Sequence, residues 1–443
     1  MKRFRGGIHP HGEKVSGSRQ IENAELPPKV IIPLQQHVGA PAQPIVEVGE
    51  EVKKGQKIAE AGGFVSAMIH ASISGKVTEI ADHLYPNPLG RAAPSVVIES
   101  DGSDEWAEDI EPPGDLDALD DQQILGIIRE AGIVGMGGAT FPTSVKLSIP
   151  EGKTIDTVIL NGVECEPYMT PDHRIMVEEP EKIIDGLNIM MKAISVDSGF
   201  IGIEMNKPDA IQAMQEASSS EANIQISPLE VRYPQGWENM LIKAILDREV
   251  PPGGLPLDIG VVVSNVGTAA AISNAVRHGH PLIERAVSVT GPGITQPRNL
   301  RVRIGTPFSD LIEQCGGFKG SVQKVIAGGP MMGFAMFDMN IPVVKGTTNI
   351  LVLSDDIVET HVSRSCIKCG RCVEVCPVGL MPTMIASLSE KGKFVEAEEY
   401  FPLDCKECGC CAYVCPAKIP LVQLIQFVKA DIMARQRAAR AAS

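Results

Sequence analysis

The sequence predicts a multidomain α/β protein. A small all-β unit, a domain built on a parallel sheet, a second small β domain and a mostly helical, cysteine-rich domain follow one another along it. Three observations predict this order. The chain has 443 residues, beyond the size at which one hydrophobic core keeps growing, so two to four domains are expected. Strand-like and helix-like segments alternate through its middle, and nine of its eleven cysteines crowd into the region after residue 365.

Composition sets the class. With 44% apolar, 21% charged and 4% aromatic residues, the chain reads as a folded soluble protein with an aliphatic core. A formal charge of -15 argues against nucleic acid as a partner, because phosphate binding needs a basic surface. No stretch approaches 18 consecutive apolar residues, and the basic opening Met1–Arg5 leads into Gly6, Gly7 and His9 rather than an apolar run. Neither a secretion signal nor a membrane span is expected. Without export the cysteines stay reduced, and their clustering then points to metal rather than disulfides. The isolated Cys165 and Cys315 read as buried small apolar residues, and His9 and His11 as structural or solvent-facing.

After an N-terminal arm, residues 1–29, short β-branched runs at 30–32, 45–48, 57–59, 76–80 and 96–98 are punctuated by Gly39, Gly49, Gly55, Gly62 and Gly75, the spacing of a small all-β unit. The segment 101–121 carries ten acidic residues, no basic one, and Pro112-Pro113-Gly114, so it reads as a solvated linker, and the unit with this connection spans 30–115. From 116 to 280 an α/β domain is expected, with a helix carrying Leu125, Ile128 and Ala131, strands at 157–160, 200–205 and 224–231, and helices at 181–194 and 209–217. Residues 281–353 suggest a β-grasp-like domain, with strands at 286–290, 302–304 and 324–327 and a helix at 307–314. The region 354–443 reads as helical, with helices at 383–390, 394–400 and 421–437 and a fraying tail from Arg435.

The strongest motif lies in that last region. Cys366-x-x-Cys369-x-x-Cys372-x-x-x-Cys376-Pro377 is the bacterial ferredoxin run, repeated as Cys405-x-x-Cys408-x-x-Cys411-x-x-x-Cys415-Pro416. Three closely spaced thiolates wrap one face of a 4Fe–4S cubane, and the fourth, followed by proline, reaches the other cluster. Cys366, Cys369, Cys372 and Cys415 are therefore expected on one cluster, and Cys405, Cys408, Cys411 and Cys376 on the other. A pair of zinc sites is the alternative, but tetrahedral zinc has no use for the third close cysteine. Cys410 falls outside the repeat and reads as a bystander.

A weaker signal precedes it. Gly132, Gly135, Gly137 and Gly138 crowd before a helix with a following Lys146, a loop whose N–H groups can approach a phosphate. It lacks the strand-preceded G-x-G-x-x-G arrangement of a dinucleotide fingerprint. The strand 157–160 then runs into Asn161-Gly-Val-Glu164-Cys165-Glu166-Pro167, polar groups at the C-terminal edge of a parallel sheet, where ligands bind.

These residues carry family resemblances. The string VGEEVKKGQKIAEAGG followed by SISGKV resembles the lipoyl and biotinyl carrier hammerhead. Ala67-Met68-Ile69-His70 stands where that family has its carrier lysine, so a scaffold role is expected. The loop Gly135–Pro142 and the segments at 161–167, Tyr233–Glu238 and Ser264–Thr268 are similar to the flavin-binding subunit of respiratory complex I. With Phe4–Pro10, the hammerhead and the closing order of β-grasp then two ferredoxin motifs, the whole chain resembles the RnfC component of the Rnf ion-translocating electron transport complex.

That resemblance implies a Rossmann-like α/β domain holding FMN, an SLBB-like β-grasp domain and a two-cluster ferredoxin domain. It implies FMN contacts at Gly135, Gly137, Gly138, Lys146, Asn161, Glu164, Asn265 and Thr268, and NAD(H) contacts at Phe141, Glu166 and Glu238. Met136, Thr140, Val163 and Trp237 depart from the complex I pattern. The implied partners are other subunits of a membrane-bound electron transport complex and, directly or through one of them, a ferredoxin-type carrier. The implied location is peripheral, on the cytoplasmic face of the membrane. Hydride would pass between NAD(H) and FMN, and single electrons through the clusters. The rivals are a soluble NADH-dependent reductase, such as the cobalamin-reducing flavoprotein whose modules come in another order, and a cluster-only electron conduit.

Overall fold

A computed structural model of the chain describes residues 3–358 and 362–442. At its centre lies a four-stranded, all-parallel sheet in the order Ile224–Leu229, Gly199–Glu204, Thr157–Asn161, Val261–Asn265. Successive side chains on a strand point to opposite faces. Val158 and Leu160 therefore join one apolar layer with Ile183 and Leu187 of helix Pro180–Ala193 and Val266 and Ala269 of helix Val266–His278. Ile159 joins the other, against Leu241 and Ile242 of helix Glu238–Leu246. Cover on both faces is why these strands read as unbroken apolar runs. Where the first two helices meet, a Cβ on Gly186 would sit 1.9 Å from the carbonyl oxygen of Ala269, so only glycine fits that contact.

The expected strands and helices of this domain recur with only their ends displaced. One face differs: helix Asp121–Glu130 buries Ile124 and Ile128, while Leu125 is only partly covered and Ala131 follows the helix as its cap.

In the N-terminal unit, one sheet (Lys29–Pro33, Ala92–Ser100, Gly75–Leu84, Glu51–Val52) and a smaller one (Gln43–Pro44, Lys57–Glu60, Ile69–His70) enclose Val30, Ile32, Ile58, Ile73, Val77 and Ile98. The strand expected at 45–48 does not form, because Ile45 and Val48 face solvent and the chain turns at Gly49. Ala67 to His70 are buried rather than displayed, and Ala67 joins the core of the parallel-sheet domain. A site of covalent loading needs an exposed tip, so this burial favours the scaffold reading.

The acidic segment is a docked strap rather than a solvated linker. Lys54 is buried and needs a counter-charge, which Asp104 supplies at 2.6 Å. Arg303 reaches the same carboxylate at 2.9 Å, and Trp106 stacks on His280 with ring centroids 4.4 Å apart.

A six-stranded sheet follows in the order Ile21–Asn23, Arg298–Arg303, Glu284–Thr290, Asn349–Ser354, Val322–Ala327, Phe334–Met336. Helix Phe308–Gln314 packs Phe308 and Leu311 into its core beside Cys315. The strand expected at 302–304 instead spans Arg298–Arg303, and its edge neighbour comes from the N-terminal arm.

In the cysteine-rich region helix Pro382–Glu390 packs Ile385 against Ile425, Val428 and Ile432 of helix Leu421–Ala442. That last helix runs on where fraying was expected. Arg435 pairs with Asp431 at 2.7 Å and also with Glu398, which fastens the stretch without apolar contacts; Ser443 lies outside the described residues. Among the described residues no helix is long and apolar enough to cross a membrane.

Candidate functional site

Asn161 and Asn265 end adjacent parallel strands in register with one another. Asn161 donates to the carbonyl of Gly236 at 2.8 Å. Asn265 accepts from the N–H of Gly267 at 2.9 Å, capping helix Val266–His278, and donates to Asp172 at 2.6 Å. Both border a cleft of ≈ 600 Å³ at the sheet's C-terminal edge, a volume typical of small-molecule sites. Its walls are the glycine loop at Gly137 to Thr140, the Glu164 to Glu166 turn, Tyr233 to Trp237, the Gly328 to Phe334 turn and, from the N-terminal unit, Gln35 to Val38 with Tyr85.

Of the residues expected to hold FMN or NAD(H), the structure brings Gly137, Gly138, Asn161, Glu164, Glu166 and Asn265 to this cleft. Gly135, Phe141, Lys146, Glu238 and Thr268 stand behind its walls. Gly135 closes the glycine loop by donating its N–H to the carbonyl of Phe141 at 2.9 Å. Thr268 accepts from the N–H of Met136 at 2.9 Å, and the Lys146 ammonium donates to the carbonyl of Val263 at 3.0 Å. Glu238 opens helix Glu238–Leu246. These five shape the walls.

The turn carrying Glu164 and Glu166 is held by two lysines. Lys14, from the N-terminal arm, donates to the carbonyls of Glu164, Glu166 and Met169 at 2.8, 2.8 and 2.6 Å. Lys207 donates to the carbonyl of Val163 at 2.7 Å. Glu164 has φ of 48° and Thr140 φ of 50°, left-handed backbone that costs a non-glycine residue about 1 kcal/mol and that collects at functional sites. Glu164 accepts the N–H of Asp172 at 2.8 Å, and burial pushes both carboxyls above their usual range. Glu166 accepts from the N–H groups of Met331 and Met332 at 3.0 and 2.9 Å, yet burial still raises it to about 7.

Cys165 is not the inert core residue expected. It is half-buried in the cleft wall, where its sulfur accepts from the N–H of Gly236 at 3.4 Å. Burial pushes its thiol up to about 12, so it is protonated at neutral pH and is no nucleophile.

The ferredoxin-type cysteines fall into two neighbourhoods. Cys376, Cys405, Cys408 and Cys411 line one internal cavity, the grouping the crossover pattern demands, although Cys376 belongs to the other motif in sequence. Cys410 borders the same cavity, its sulfur 4.0 Å from the carbonyl of Tyr233. Cys366 and Cys369 are exposed, while Cys372 and Cys415 pack against the apolar cluster that contains Cys411 and Leu421. The first neighbourhood abuts the cleft: Tyr233 lines the cleft and donates its hydroxyl to the carbonyl of Cys408 at 2.8 Å. Lys406 lies over the Trp237 ring, 5.9 Å from its centroid.

Sequence reasoning missed Tyr233 as a contact, the accepting role of Glu166 and every wall residue from the N-terminal unit. Tyr233 stood inside a quoted motif; Gln36 and His37 carried no signal, since they reach the cleft from a different domain.

The cleft fits a flavin mononucleotide. Space is open where Gly138 would carry a Cβ, which leaves room for a ligand to approach the backbone, and the buried Trp237 Nε1 has no partner within the chain. Fold and site together define a flavin- and iron–sulfur-dependent electron-transfer protein. The RnfC barrel sandwich hybrid domain matches residues 2–103, the Nuo51 FMN-binding domain 128–274, the SLBB domain 286–335 and the 4Fe-4S dicluster domain 365–419. The chain is 52% identical to the RnfC-type component of the proton-translocating ferredoxin:NAD(+) oxidoreductase complex of Clostridium ljungdahlii, over 97% of this chain and 94% of that one. It is 48% identical to the corresponding component of the Na(+)-translocating ferredoxin:NAD(+) oxidoreductase complex of Acetobacterium woodii over 98% of each chain. With its counterpart in the ion-translocating oxidoreductase complex of Rhodobacter capsulatus it shares 45% identity over 98% of this chain and 84% of that one. The chain belongs to the RnfC family of ion-translocating ferredoxin:NAD(+) oxidoreductase complexes. Among solved structures, an NAD+-reducing [NiFe]-hydrogenase in the H2-reduced state shares the fold, with a TM-score of 0.50 at 18% identity over 70% of this chain and 63% of that one.

Proposed function

We propose that the chain carries electrons between NAD(H) at the cleft and partner subunits of a membrane-associated ferredoxin:NAD+ oxidoreductase complex, through FMN and two 4Fe–4S clusters. When bound, FMN supplies the exchange between a two-electron hydride carrier and one-electron centres. Gly137, Gly138, Asn161, Glu164 and Asn265 would hold it, with Gly135, Lys146 and Thr268 fixing the loop from behind. Cys376, Cys405, Cys408 and Cys411 would hold an inner cluster beside the cleft, and Cys366, Cys369, Cys372 and Cys415 an outer cluster near the surface. A partner subunit, and through it a ferredoxin-type carrier, would exchange electrons at the outer cluster. A peripheral position on the cytoplasmic face suits a protein that serves NAD(H).

The hydrogen bond from Tyr233 to the Cys408 carbonyl carries this reading, because it joins the cleft wall to the inner set of thiolates. The test is an anaerobic titration of the purified chain with NADH, watching flavin and cluster absorption. Bleaching of the flavin followed by cluster reduction is expected, with about eight irons and one FMN per chain. Intact clusters with no flavin bleaching would leave only an electron conduit.

A further inference from the structure

We propose that the N-terminal barrel unit supplies a ligand to the flavin: the side-chain amide of Gln36 donates through Nε2 to an acceptor oxygen of FMN in the cleft. This rests on the FMN reading above and extends it to a domain outside the FMN-binding match, which begins at residue 128.

Gln36 lines the cleft and is 3% exposed. Its Oε1 accepts the main-chain N–H of Lys345 at 3.0 Å. A main-chain amide only donates, so the oxygen is fixed on that side and the amino group is turned away from it. Nε2 is buried and has no partner within the chain. Buried donors are nearly always satisfied, so one left free beside a ligand-sized cleft points to an acceptor carried by the ligand.

The surroundings fix this amide in place. Lys345 is buried and its ammonium donates to the carbonyls of Met68 and Gly132 at 2.7 Å each, tying the barrel to the start of the glycine loop. Val38 donates its N–H to the carbonyl of Thr140 at 3.3 Å, so the Gln35 to Val38 turn closes on the loop expected to cradle FMN. The neighbouring His37 does not compete for the ligand, because its Nε2 accepts from the N–H of Ala67 at 3.2 Å. An amide held this rigidly by groups already in place is a preorganised donor.

The test uses the full-length, cluster-loaded chain and two substitutions. Gln36→Glu keeps an oxygen for the Lys345 N–H and removes the donor; Gln36→Leu removes both. The readouts are the FMN dissociation constant, from quenching of flavin fluorescence on titration of FMN-depleted protein, and the KM for NADH at saturating FMN. Both substitutions are expected to weaken FMN binding by about tenfold or more, with iron content at the wild-type level and the KM within about twofold. FMN affinity within about twofold of wild type overturns the proposal. So does unchanged FMN affinity with a raised KM, which would give the amide to the nucleotide. A wild-type chain that binds no FMN would instead overturn the broader reading.

Discussion

The phenolic hydroxyl of Tyr233 donates a 2.8 Å hydrogen bond to the main-chain carbonyl of Cys408, so a wall residue of the cleft touches the segment that presents an inner-cluster thiolate. Arm residue Ile8 pairs with Tyr233 on its other side, N–H to carbonyl in both directions at 2.8 and 2.9 Å. Tyr233 is thereby held between the first and last parts of the chain.

Removing that hydroxyl in Tyr233→Phe leaves the Cys408 carbonyl without its donor in a buried place. A stability loss of about 1–2 kcal/mol is expected. In stopped-flow mixing with NADH, flavin bleaching should keep its rate while cluster reduction slows. Equal rates for both phases in variant and wild type would deny Tyr233 any part in the route.

The two cysteine neighbourhoods predict different failures. Cys366→Ser should cost the outer cluster, lowering iron from about eight to about four per chain, while NADH still reduces the inner one. Cys408→Ser should abolish NADH-driven reduction of both clusters although the flavin still bleaches. Iron analysis with electron paramagnetic resonance reads the two cases, and identical behaviour of the variants would contradict the inner and outer order.

Lys14 satisfies three buried carbonyls at once. Lys14→Met strands all of them and removes the cation facing Glu164, so unfolding should become easier by about 3 kcal/mol or more. Thermal unfolding of the holoprotein measures this. A shift no larger than that of an exposed lysine such as Lys319 would show the arm to be dispensable for the turn.

Glu166 sets a pH dependence. Burial raises it from 4.5 to about 7 in the folded chain. Between those values the folded state holds a proton that the unfolded state has released, so stability falls as pH rises through the window, by up to about 3 kcal/mol. Glu166→Gln cannot titrate, so wild type should lose ground to it from about pH 5 to about pH 7 and the difference should level off above that. Anaerobic denaturant unfolding at several pH values checks this; a difference independent of pH would mean the carboxylate is ionised throughout.

Local pattern carried much of this structure, and its limits are physical. The Thr157–Asn161 strand and its helices were legible because burial on both faces writes continuous apolar runs and periodic faces into the sequence. The cysteine motifs were legible because cluster ligation imposes fixed spacing. The strap at Asp104 was not, since its partners Lys54 and Arg303 lie far from it in sequence and an acidic run looks the same whether solvated or paired. The cleft was legible only on the side built by one domain. Gln36 and Met331 enter it from two others, and nothing in their own neighbourhoods marks them.

The short edge strand Ile21–Asn23 lies parallel to Arg298–Arg303, and Glu22 and Arg298 form an ion pair 276 positions apart in the chain. During synthesis that strand must wait, unpaired, until most of the polypeptide has left the ribosome. Late completion of this sheet is therefore written into the topology, and contacts so distant in sequence make for slow folding. A premature stop before residue 298 would leave the arm with no strand to join.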